Sequence, residues 1–138
     1  MPNPDDVVLV LGEQRVTRGQ FHDRALRAQA FLASRGIGKG DRIGVALRNR
    51  PQFFEVMAAA TALGATTVPI AWRLKREEVA YLVEDSGVKL VVYDEASASQ
   101  MSGFPSVSLD AYEQTLASTA PAASTRDPLG SYDMFLYS

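Results

Sequence analysis

The sequence predicts an α/β fold: part of a doubly wound domain, with a mostly parallel βαβαβ sheet flanked by helices and preceded by a short N-terminal hairpin. Three observations carry this. Short runs rich in β-branched residues at 43–47, 66–70 and 90–93 alternate with two helical stretches, and such alternation favours parallel strands joined by right-handed crossovers. Gly36 and Gly64 each stand where a helix would close before a strand. At 138 residues, 46% hydrophobic and 22% charged, the chain has the make-up of one globular unit with a sizeable core.

The elements follow in order. Val7 to Leu11 and Arg15 to Thr17, separated by Gly12-Glu13-Gln14, read as two strands around a turn. A helix then starts at "TRGQ", where Thr17 and Gln20 have the spacing of a reciprocal capping box. Phe21, Ala25, Ala28 and Leu32 recur at helical spacing and give it an inner face. "GIGKGD" leads into the strand Ile43 to Leu47. These glycines follow a helix and open a strand, the reverse of a dinucleotide fingerprint, so a plain turn is expected.

"NRPQFFEVMAAATALG" opens with Asn49 as the expected cap and Pro51 in the first turn. It is apolar nearly all round, which suits a helix buried against a sheet. The strand 66–70 follows, then a helix with Val79, Leu82, Val83 and Ser86 on one face, then Leu90 to Tyr93. Past Asp94 the pattern fades; Ala111 to Ala117 reads as a short helix and "STAPAAST" as a connector. The chain closes on Met134-Phe135-Leu136-Tyr137 before Ser138, an apolar run that reads as a buried strand cut in mid-element.

Composition excludes several classes. Without cysteine there is no disulfide framework and no thiolate chemistry, and a lone histidine, His22, makes no metal centre. A cytoplasmic location is the expectation, because the early apolar run is short and follows Asp5 and Asp6. Residues 1–50 carry nine basic side chains against five acidic, while the whole chain has net charge −2, so nucleic acid is not an expected partner.

The stretch from "GDRIGVALRNRPQFFEVMAAATALGATTVPIAWRLKREE" to "DSGVKLVVYD" closely resembles the N-terminal part of adenylate-forming (AMP-binding) enzymes, the acyl-CoA synthetases above all. Gly64-Ala65 and Val68-Pro69-Ile70 match the family's "LKAGA..VP(L/I)", although Ala62 replaces its lysine. "VPIAWRLKREE" is more similar to fatty-acid-CoA ligases than to peptide-synthetase adenylation domains. The resemblance implies that residues 1–138 are the N-terminal part of the large adenylate-forming domain, cut just before the loop that cradles ATP phosphates. It also implies a full-length parent that uses ATP, Mg²⁺ and CoA on a fatty or aryl carboxylic acid. The fragment alone is expected to be inactive, to bind none of these cofactors and to self-associate. The alternative is a free-standing binding module on the same half-fold, performing no chemistry.

No catalytic or metal-ligating residue is expected within the chain. Arg73, just beyond a strand end, is the one cofactor-binding candidate: the resemblance implies a contact with the CoA nucleotide, against a surface arginine paired with Glu77 or Glu78. Arg24, Arg27 and Arg35 fall within about 80° on a helical wheel. They read as a solvated helix face, with membrane contact at most peripheral. His22 reads as exposed, Glu84-Asp85 as solvated charge, and the helix start at Arg48-Asn49-Arg50 as a cap rather than an anion site.

Overall fold

The computed structural model describes residues 3–123. Strands β1 (Val7–Leu11) and β2 (Gln14–Thr17) pair antiparallel, with Leu11 opposite Gln14. Gly12, at φ 61°, opens the two-residue turn between them, a position that hairpins of this length reserve for glycine. Helix α1 (Arg18–Ser34) starts on the expected capping box: Thr17 Oγ1 accepts the Gln20 N–H at 3.2 Å, and Gln20 Oε1 accepts the Thr17 N–H at 2.9 Å. The predicted inner face is buried, joined by Leu26 and Phe31.

Strand β3 (Arg42–Ala46), helix α2 (Pro51–Ala62), strand β4 (Thr66–Pro69), helix α3 (Arg76–Ser86) and strand β5 (Leu90–Tyr93) follow. A 3-10 helix over Glu95–Gln100, strand β6 (Ser106–Ser108) and helix α4 (Leu109–Ala117) complete the described chain. All strand pairs of the main sheet are parallel, in the order β4-β3-β5-β6. The doubly wound prediction therefore holds, with one strand more than the sequence pattern gave. The expected strand at Met134 to Tyr137 lies outside the described residues.

Helices cover both faces. On one, Phe31 and Leu32 of α1, Val56, Ala59 and Ala60 of α2, and Tyr112 and Leu116 of α4 pack on Ile43, Val45, Leu90 and Val92. On the other, Val79 and Val83 of α3 pack on Ala46, Ile70 and Val91. Gly44 marks the tightest point of this second face: a Cβ there would lie 2.9 Å from Ile70 Cδ1 and 3.0 Å from Val91 Cγ2.

Asn49 does not cap α2. Arg50 takes the N-cap position in extended conformation with no side-chain hydrogen bond, and Pro51 in the first turn lacks the N–H that a cap would have satisfied. His22 is half-buried rather than exposed, since α1 packs more broadly than its inner stripe alone.

Candidate functional site

The chain turns back across its sheet between β3 and β5. From β3 it passes through α2 to β4 on one side; from β5 it continues to β6 on the other. Open α/β sheets bind ligands beyond the carboxyl ends of their strands at such a reversal. Four segments meet there: Arg48 to Arg50 after β3, Ala71 to Leu74 after β4, Asp94 after β5 and the start of α4 after β6.

Asp94 is 1% exposed and organises this end. Its Oδ2 accepts the Arg48 backbone N–H at 2.9 Å and Arg48 Nε at 3.2 Å, with Arg50 Nε at 3.8 Å. Its Oδ1 accepts the Ala96 N–H at 3.1 Å and starts the 3-10 helix. Glu95 binds the Arg48 guanidinium and reaches Arg50 Nη2 at 3.2 Å. Burial by itself would raise the Asp94 carboxyl; the hydrogen bonds from Arg48 and Ala96 outweigh it and hold the group below its ordinary range. The basic pair before α2 is thus neutralised by two carboxylates, which leaves it a structural clamp rather than an open anion site. A cleft of about 210 Å³ lies beside it, lined by Tyr93, Asp94, Glu95, Ser108 and Asp110 among others.

Arg73 lies on the same side of the sheet, exposed, in the turn Ala71 to Leu74. The expected pairing with Glu77 or Glu78 is not formed. Glu78 turns instead to the start of α3, where its Oε1 accepts the Lys75 N–H at 2.9 Å. Among the described residues Arg73 forms no ion pair.

A second polar cluster lies between α1, α2 and α4. Glu55, 4% exposed, receives Arg24 through Nε at 3.1 Å and Nη2 at 3.0 Å, and the Tyr112 hydroxyl at 2.9 Å. Arg24 Nη2 also donates to Glu113 at 2.8 Å. Burial works against the charge on Arg24, but Glu55 and Glu113 more than compensate; burial pushes the Tyr112 phenol well up. Arg27 pairs with Asp23 at 2.9 Å and donates to the Thr119 carbonyl at 2.7 Å. The basic stripe of α1 is therefore not a solvated face at Arg24 and Arg27, because α4 docks against it; Arg35 alone stays exposed, over the Phe31 ring. Sequence reasoning passed over Glu55, Tyr112 and Asp94. Glu55 carried a signal: it is the single charge in the otherwise apolar segment 51–62, and such a carboxylate needs a partner.

The AMP-binding enzyme family matches residues 2–131. The chain belongs to the AMP-binding enzyme family. Among its relatives is the long-chain-fatty-acid–CoA ligase FadD13 of Mycobacterium tuberculosis, 39% identical over 84 residues, which cover 61% of this chain and 17% of the ligase. The 4-hydroxybutyrate–CoA ligase 2 of Metallosphaera sedula is 34% identical over 91 residues, 66% of this chain and 17% of that one. The chain thus spans about a sixth of the length of the curated relatives it matches. The N-terminal domain of FACL13 from Mycobacterium tuberculosis superposes with a TM-score of 0.74 at 31% identity, over 83% of this chain and 32% of that one. These relatives are acid-thiol ligases by name, and the AMP-binding fold places the reversal point and the Arg73 turn on one side of the sheet. No helix among the described residues is long and apolar enough to cross a membrane.

Proposed function

We propose that this chain is the N-terminal part of the large domain of an ATP-dependent acyl-CoA ligase. In that reaction a carboxylate attacks the α-phosphorus of ATP, releasing pyrophosphate and forming an acyl adenylate; the CoA thiol then displaces AMP to give the thioester. The supporting observation is the likeness to the FACL13 N-terminal domain over 83% of this chain, within a family match that runs almost from end to end. A fatty or aryl acid is the substrate class of this reading, and a cytoplasmic location goes with it.

Residues 3–123 do not themselves fit the metal of such a reaction. Among them no group of three or more His, Asp or Glu could hold a metal ion, and Asp94 and Glu95 are engaged by Arg48 and Arg50. Nor does a glycine-rich loop among them follow a strand and open a helix to receive phosphate. What this segment supplies is the sheet whose carboxyl end shapes one wall of the crevice, and Arg73 on its rim as the group that meets the phosphates of the CoA nucleotide.

Two assays test the reading. A chain extended through the codons that follow Ser138 is expected to exchange pyrophosphate into ATP with a fatty or aryl acid and to form the acyl-CoA. Failure with straight-chain acids of every length and with benzoates, in a folded extended chain, overturns it.

A further inference from the structure

We infer that Trp72 is an adenine-stacking residue, which together with Arg73 forms a subsite for the nucleotide of CoA; this deepens the ligase reading and rests on it. Trp72 is 55% exposed, an unusual state for the largest apolar side chain. Its placement is fixed rather than loose. Trp72 and Arg73 are the two central residues of a turn closed by the Leu74 N–H on the Ala71 carbonyl at 3.2 Å. The turn is anchored on both sides: Ile70, 4% exposed, donates its N–H to the Val45 carbonyl at 2.9 Å, and Leu74 packs with Ile70 and Val79. An indole and a guanidinium without an ion pair are therefore held out side by side at the carboxyl end of β4, the ligand side of the sheet.

The chemistry of that pair selects its ligand. An indole face takes a planar heterocycle by stacking, and a guanidinium takes phosphate in fork geometry. A molecule bearing both is a phosphorylated nucleotide. Both ATP and CoA carry adenine and phosphate; the assignment is to CoA, because no element among the described residues offers a cradle for a triphosphate. Presentation on a preformed turn keeps the ordering cost of binding low.

Trp72 is the only tryptophan of the chain, so its fluorescence reports this turn alone. Titration of the 138-residue chain with CoA, adenosine 3′,5′-bisphosphate, ATP and phosphopantetheine is expected to show quenching by the first two and none by phosphopantetheine. By calorimetry, Trp72→Ala should weaken CoA binding about tenfold, the scale of one base–aromatic stack, with the far-ultraviolet circular dichroism unchanged. Arg73→Ala should weaken the bisphosphate more than it weakens adenosine. Quenching by phosphopantetheine, by ATP without competition from CoA, or by none of the four overturns the subsite. In the extended ligase, Trp72→Ala should raise the KM for CoA with adenylate formation unchanged. An unchanged KM sinks the subsite and leaves the ligase reading standing, whereas an extended chain that makes no adenylate sinks the ligase reading and leaves the titration to judge the subsite.

Discussion

Asp94 accepts both the backbone N–H of Arg48 at 2.9 Å and its Nε–H at 3.2 Å, so a single carboxylate ties the ends of the two strands between which the chain reverses across its sheet. The tie is charged, nearly sealed from water on the acid side, and set by residues 46 apart in sequence. Nothing else joins the exits of β3 and β5 through side chains among the described residues.

Asp94→Ala is therefore expected to lower stability by about 2 kcal/mol, the scale of hydrogen bonds to a buried charge. Urea unfolding followed by circular dichroism should show a lower midpoint with the slope unchanged. A midpoint equal to that of the parent chain refutes the clamp.

The same carboxyl sets an acid limb. Its folded value lies below the ordinary 3.8, so the unfolded chain takes up the proton first as pH falls. The stabilisation is complete above about pH 5 and is lost as pH drops through the depressed folded value. Asp94→Asn should flatten stability against pH between about 4 and 2 relative to the parent; parallel curves would assign the acid limb to other carboxylates.

Glu55→Ala should be among the costliest polar substitutions, about 3 kcal/mol, because it strands the Tyr112 hydroxyl and removes the bidentate partner of Arg24. A double-mutant cycle of Glu55→Gln with Tyr112→Phe should show coupling of about 1 kcal/mol. Additive effects would mean that the two groups do not share a bond.

Gly44→Ala should cost about 1–3 kcal/mol by overpacking, since the added methyl would press on Ile70 and Val91 from 2.9 and 3.0 Å. Relief by a second change, Ile70→Val, is the signature to look for in the unfolding midpoint.

In the extended ligase Arg73→Ala should raise the apparent KM for CoA and leave pyrophosphate exchange nearly unchanged. Equal losses in both half-reactions would make Arg73 structural.

Much of this fold was legible because its signals are local. The Thr17–Gln20 box, the β-branched strands and the glycines behind α1 and α2 each state their structure within a few residues. Strand β6 was not legible, because its three residues hold only Val107 as an apolar side chain, and its place comes from pairing with β5 rather than from its own pattern. Asn49 misled for a related reason: capping propensity is local, but the path of the chain into α2 is set by the Asp94 clamp on Arg48 and by Pro51. The basic stripe of α1 misled because a helical wheel shows which residues share a face and cannot show that α4, some 90 residues on, covers it. Arg73 was found as a position, through the strand end, while Trp72 beside it announced itself only through its exposure.

The docking of α4 also sets a timetable. Tyr112 fills the space beside Phe31, edge to face at 6.0 Å, and Arg27 grips the Thr119 carbonyl 92 residues ahead, while the Ala122 N–H reaches back to Leu26. On the ribosome, α1 is among the first helices made, yet one side of it has no cover until α4 has emerged. Long-range closures of this kind come late in folding. The nascent chain must carry an unfinished first helix through the synthesis of almost the whole sheet, and this interval is when a chaperone has the most apolar surface to hold.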